Sequence, residues 1–280
     1  MFGLELRLNR WSEHGIDPNG FDIDESLRGL RDSEDGLVSR VFMANTYGGS
    51  SQLVLPKISP QKYAEHGFTG RFMYLGCDYQ PCAPTIPGSP GLWISVDVDT
   101  SEDWKHGIVR TFTKVQDHTP RLWQYQGQYR LRRSRPISQA EWEQQPPSLR
   151  NKWISDLKTQ GWGGNMRARI YGRKNLEPNL TEAYIKDVQK RSLDKEITKE
   201  EIAVALQSGQ EQMIVYTMEC VGYEENFQRH LIDKHLTHKA TSESDEEEPQ
   251  GKWKGEQKKS KSEKAISQPA AKKRRVKVEA

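Results

Sequence analysis

Arginines gather where the chain runs through rings. Residues 122–135, LWQYQGQYRLRRSR, set Trp123, Tyr125 and Tyr129 on alternating positions and follow them with Arg130, Arg132, Arg133 and Arg135. Guanidinium groups neutralise phosphates, and ring faces stack on bases with little regard for sequence, so these residue types together suit nucleic-acid contact. Arg167, Arg169 and Arg173, in NMRARIYGRK, would extend the same surface. Tyr125 and Tyr129 are the candidate stacking residues, and the seven arginines the candidate phosphate contacts. The plainer reading is a half-buried strand, with Trp123, Tyr125, Gly127, Tyr129 and Leu131 on one face and Gln and Arg residues on the other. On that reading the rings mostly face a core and the arginines beyond them carry the function.

Other reactive groups are sparser. DVDTSEDWKHG gathers Asp97, Asp99, Asp103 and Lys105 at a strand end, a set that could hold Mg²⁺ for hydrolysis. It does not make a calcium loop, because Glu102 occupies the required glycine position, and a solvated turn is the plainer reading. Cys77 and Cys82 have four residues between them, while Cys220, His230, His235 and His238 lie about 150 residues on. Zinc needs four such groups to converge, so no metal or cofactor is expected. There is no nucleophile elbow, phosphate loop, His-Glu-x-x-His or dinucleotide fingerprint, and the expectation is binding rather than catalysis. Three cysteines suit a reducing compartment better than a disulfide framework. No apolar run approaches a membrane span, and MFGLELRLNRWSEHG lacks the apolar core of a secretory signal, so no membrane partner is expected.

Composition divides the chain. Residues 105–174 hold 15 Lys/Arg against 4 Asp/Glu, and acidic residues predominate on both sides, which predicts a localised cationic surface. Residues 240–280 are charged and serine-rich with few large apolar side chains, and are expected to be disordered. Their end, PAAKKRRVKVEA, resembles a monopartite nuclear localisation signal, with Lys272, Lys273, Arg274, Arg275 and Lys277 read by importin-α. The expected location is the nucleus. SESDEEE beside it resembles an acid-directed kinase site.

The elements that must position these residues follow from pattern. FGLELRL and GLVSRVFMA predict strands in a loosely structured lead-in over residues 1–50. ISPQKYAEHG predicts a helix capped by Ser59 and stopped by Gly67. GRFMYLG, LWISVDVD, HGIVRTFTKVQ, the stretch from Trp123 and QMIVYTMECVGY predict strands, and Gly127 marks a bulge. Ser138 with Glu141, and Thr198 with Glu201, form capping boxes, the first spanned by Ile137 and Trp142 as a hydrophobic staple. SLRNKWISDLKTQG, TEAYIKDVQKRSL and ENFQRHLIDKHLTHK predict helices, and NMRARIYGRK a basic strand. The sum is an α+β domain over residues 51–239, with a curved or barrel-like, mostly antiparallel sheet and flanking helices.

GLW, RTFTK, WQYQGQYRL, PISQAEW and MECVGYEENFQRHL together resemble an uncharacterised family, a domain of unknown function known from mushroom-forming fungi, over about residues 65–235. That resemblance implies no activity and no site residues. The Trp-x-Tyr-x-Gly-x-Tyr strand before a capped helix also resembles PUA-like barrels, which include readers of modified bases. It implies an aromatic-walled pocket for a flipped base. The leading expectation is a nuclear, non-enzymatic domain binding DNA, RNA or chromatin. The alternatives are a protein–protein adaptor using the tryptophans and the proline-rich loop 81–90, and a Mg²⁺-dependent nuclease-like hydrolase using Asp97 and Asp99.

Overall fold

The computed structural model describes residues 16–68, 70–96, 107–116 and 118–246, with side chains described as far as Thr241. Five strands form one sheet: β1 (Arg71–Leu75), β2 (Gly91–Ser95), β3 (Ile108–Lys114), β4 (Trp123–Arg133) and β5 (Ile214–Gly222). Their order is β1-β3-β4-β5-β2, with β1 and β3 parallel and the other pairs antiparallel. The α+β class, the mostly antiparallel sheet and the flanking helices are as expected. The sheet does not close into a barrel, because β1 and β2 are its edges and, among the described residues, no ladder joins them.

Helices α1 (Arg40–Tyr47) and α2 (Pro60–His66) precede the sheet. Five helices connect β4 to β5: α3 (Gln139–Glu143), α4 (Pro147–Thr159), α5 (Gly164–Lys174), α6 (Glu182–Lys190) and α7 (Lys199–Gln207). The last, α8 (Glu225–Glu246), follows β5 and runs past Ala240, where the composition changes. The remainder of the tail, with Lys272, Lys273, Arg274, Arg275 and Lys277, lies outside the described residues, as do FGLELRL and Asp97, Asp99, Asp103 and Lys105.

Both faces of the sheet are buried. On one, Phe72, Tyr74, Phe112 and Tyr125 pack with Phe42, Met43 and Tyr47 of α1 and Phe227 and Leu231 of α8. Further along that face, Leu92, Ile94 and Val215 meet α3, α4, α5 and α7 through Trp142, Trp153, Leu157, Met166 and Ile202. The opposite face presents Met73, Val109, Tyr129, Leu131, Tyr216 and Met218 to one another and to Ala83 of the proline-rich loop. The packed unit therefore includes residues ahead of 51: Val38, Phe42 and Met43 are in the core, and Ile16 joins the helical cluster.

The bulge expected at Gly127 determines where the rings of β4 go. Thr111 lies opposite Gly127 and Phe112 opposite Tyr125, so Gln126 is an extra residue with no partner on β3. The alternation resets there. Tyr125 packs against Phe112 and Phe227 on the helical face, whereas Tyr129 and Leu131 enter the opposite face. The single apolar face predicted for Trp123 through Leu131 is thus divided between two cores.

Two further expectations change. GLVSRVFMA is not a strand: Val38 makes one isolated bridge to Trp123, and Ser39 caps α1 by accepting from the Phe42 N–H. The strand predicted for NMRARIYGRK is helix α5, whose turns bring Arg169 and Arg173, four residues apart, onto one carboxylate. Both capping boxes form, and Ile137 and Trp142 are buried together.

Gly127 has φ +122°, and a Cβ there would lie 2.9 Å from both Cys220 Sγ and the Gly222 carbonyl. Gly127→Ala is expected to lose about 2–4 kcal/mol in urea unfolding. A loss below about 0.5 kcal/mol would mean that the bulge can relax.

Burial holds two α8 imidazoles below their ordinary value of 6.5. For His230, burial acts first, followed by His66 and Lys234 against Asp233; for His235, burial, Lys239 and His238 oppose its bond to the Asp35 carbonyl and the Asp35 charge. The folded chain takes up these protons less readily than the unfolded chain, so stability falls as pH drops below about 6.5 toward the lowered values. The melting temperature of His230→Phe should fall less between pH 7 and pH 5 than that of the parent. Equal falls would remove His230 from the cause.

Candidate functional site

Folding disperses most of the cationic surface expected from the sequence. Tyr125 and Tyr129 are fully buried, and the Tyr129 hydroxyl donates to the Ser89 carbonyl at 2.7 Å, so neither ring offers a face to a base. Arg167 is also buried. It donates through Nε and Nη2 to Asp194 at 3.1 and 2.7 Å, and through Nη1 to the carbonyls of Leu157 and Gln160. Its role is to tie α4, α5 and the turn before α7 together. Arg169 and Arg173 converge on Glu211, a buried carboxylate, at 2.7 and 2.5 Å. These three arginines are structural, because a buried carboxylate has to be paired and hydrogen-bonded.

The strand arginines fare differently. Arg130 and Arg132 lie on the helical face of β4 and share Glu219 at 3.5 and 3.0 Å, with each side chain nearly half exposed. Arg135 forms a two-pronged pair with Glu141, the capping-box carboxylate that also accepts from Ser138. Arg133 is exposed, with no ion-pair or hydrogen-bond partner among the described residues. Its strand partner is Tyr216, and Tyr216 pairs in turn with Trp93 across β5 and β2. Directly opposite residues share a face, so Arg133, Tyr216 and Trp93 form one cross-strand row.

That row leads to the unclosed side of the sheet. An edge strand leaves backbone groups unpaired, and here irregular chain satisfies them. The Tyr74 N–H of β1 donates to the Val54 carbonyl at 2.9 Å. On β2, the Gln80 carboxamide accepts from the Ile94 N–H at 2.8 Å and donates to the Ile94 carbonyl at 2.9 Å, imitating a strand partner. The Leu92 N–H donates to Cys82 at 2.7 Å. Segments 52–55 and 76–82 therefore occupy the seam without filling it. Between them lies a cleft of about 860 Å³ whose lining includes Tyr79, Trp93, Arg121, Trp153 and Trp162.

The cleft wall is a series of rings meeting edge to face. Tyr79 and Trp153 have centroids 5.6 Å apart at 85°, and Trp153 and Trp162 5.7 Å apart at 79°. The Trp153 indole N–H donates to the Tyr79 carbonyl, and the Tyr79 hydroxyl donates to Asp156. Burial, reinforced by Asp156, pushes the Tyr79 phenol up to about 12, so it stays a neutral donor at physiological pH. The Lys152 ammonium sits 4.5 Å from the Tyr79 ring centroid, a cation–π contact. Trp162 is 41% exposed, so one large ring at the mouth still has surface to cover. Neither Lys152 nor Arg121 has a carboxylate partner among the described residues.

These cleft residues were not singled out from the sequence. Trp162 lies in GWGG, which reads as a turn and forms a 3₁₀ segment, and Trp153 reads as core. The one pointer was the proline-rich loop 81–90, which directly follows Tyr79 and Gln80. Cys77 donates to the Lys114 carbonyl, Cys220 lies inside the sheet, and His230 and His235 are on α8, where His230 meets His66. Among the described residues no group of three or more His, Cys, Asp or Glu is placed to hold a metal ion, and no helix is long and apolar enough to cross a membrane.

No curated protein and no solved structure matches the chain. A sequence profile does: that of DUF6697, a domain of unknown function, over residues 37–234. The match begins at the lead into α1 and ends within α8, spanning the whole sheet and every element around the cleft. By that match the chain belongs to the DUF6697 family.

Proposed function

We propose that this domain is a nuclear recognition module for nucleic acid, taking unstacked bases into the aromatic cleft of the seam. The observation that carries the reading is the conjunction of exposed Trp162, the Tyr79–Trp153 wall behind it and the cations Arg121 and Lys152, which have no carboxylate partner among the described residues. Rings supply sequence-tolerant stacking, and unpaired cations supply phosphate contact. Arg133, on the row that ends at Trp93, is the member of the expected arginine set retained as a phosphate contact; Arg130 and Arg132 remain accessible beside Glu219. The aromatic wall also supports the base-receiving pocket implied by the resemblance to PUA-like barrels, within a sheet that stays open. Import by importin-α through Lys272, Lys273, Arg274, Arg275 and Lys277 completes the proposal.

A second reading has its own support. Leu53 and Val54 stand 55% and 41% exposed at the rim of the same cleft, as an apolar side chain of a partner protein would require.

Fluorescence anisotropy with a labelled dT20 strand and its duplex, over a salt series and with the full chain, separates the two. The expected result is preference for the single strand. Trp162→Ala should lose about 10-fold in affinity, the scale of one stacked base. Arg121→Ala should lower the salt slope by about one unit of charge. Affinity unchanged in Trp162→Ala, or binding only through a salt-dependent term that prefers the duplex, would leave the adaptor reading in possession of the cleft.

A further inference from the structure

A second cavity lies where β3 ends and β4 begins, under the proline-rich loop. It measures about 370 Å³ and is lined mainly by polar side chains: Thr85, Thr113, Gln116, Gln124 and Gln126, with Lys114 at one side. Two of these are almost wholly buried, Thr113 at 2% and Gln126 at 1% exposure. Neither Thr113 Oγ1 nor Gln126 Oε1 has a hydrogen-bond partner among the described residues. Buried polar atoms are nearly always paired, so two orphans lining one cavity mark a place where something else supplies the bonds.

Gln126 is there because of the bulge. As the extra residue of β4 it leaves the ladder, and its own carbonyl is held by the Gly88 N–H at 2.9 Å. Its carboxamide nitrogen donates to the Gln124 carbonyl at 3.3 Å and to the Gln124 side-chain oxygen at 3.5 Å, and its oxygen is left open among the described residues. A bulge re-aims a side chain in this way, and bulges are over-represented beside functional sites.

The lining defines the ligand. The Lys114 ammonium is engaged by Asp78 at 3.1 Å, and no other described residue of the lining is charged, so the described lining favours neither an anion nor a cation. No aromatic ring is among the described residues of the lining, so these offer no stacking plane. Carboxamides and hydroxyls both donate and accept, which complements a molecule carrying several hydroxyl groups, each also donor and acceptor. We infer that this cavity is a binding site for an uncharged polyhydroxylated ligand of the sugar class, held by Gln124, Gln126 and Thr113. The same chemistry belongs to a free monosaccharide and to the ribose of a ribonucleoside. The inference stands apart from the aromatic cleft and does not depend on it.

Saturation-transfer NMR on the full chain tests it with four probes: D-glucose, D-ribose, uridine and 2′-deoxyuridine. The expected result is transfer to sugar protons of at least one probe, weakened 10-fold or more in Gln126→Leu. Thr113→Val keeps the β-branched shape and serves where Gln126→Leu fails to fold; it should weaken the same probe at least threefold. Transfer from glucose or ribose assigns the site to free sugars, and transfer from uridine but not 2′-deoxyuridine or ribose assigns it to a ribonucleoside. No transfer from any probe, or transfer undiminished in both variants, overturns the inference. So does a rise in melting temperature of Thr113→Val without sugar binding by the parent, since the cavity would then hold solvent alone.

Discussion

The carboxamide of Gln80 takes the place of a strand. Where a sheet edge is shielded from water, each N–H or C=O left unpaired carries the cost of a lost hydrogen bond. Gln80 meets both polar groups of Ile94, Cys82 meets Leu92, and Val54 meets Tyr74. These few bonds let β1 and β2 remain edges inside a packed domain. Because single residues do the work instead, the seam keeps a cleft, and the rings of the connecting segments and of α4 become its walls.

The bulge in β4 is the second determinant. One extra residue lets a strand of eleven serve two cores, sending Tyr125 toward the helices and Tyr129 toward the proline-rich loop. The same residue, Gln126, is released from the ladder into the polar cavity. Packing and candidate binding chemistry thus share one local irregularity, and Gly127 is the residue whose backbone makes it possible.

Much of the fold was legible because its signals are local. Ser59, Ser138 and Thr198 cap the helices their sequences announce, and the β-branched and aromatic runs form the strands. The two misread stretches, GLVSRVFMA and NMRARIYGRK, have residue alternation without strand partners; tertiary pairing decided them. The cationic surface was misjudged for a different reason. Counting charge over residues 105–174 leaves out acids later in the chain that folding brings alongside. Asp194 takes Arg167, Glu211 takes Arg169 and Arg173, Glu219 takes Arg130 and Arg132, and Glu224 takes Arg110. The cleft was illegible because Tyr79, Trp93, Arg121 and Trp162 come from four separate segments, and only the unclosed sheet gathers them.

The pairing of those arginines sets how any partner arrives. Coupled opposite charges present dipoles, whose potential dies away faster than that of isolated ions. These paired arginines therefore add little long-range steering and act on an approaching molecule only at short range. Discrimination between partners then rests on how slowly each one leaves after docking, which is decided by the fit at short range.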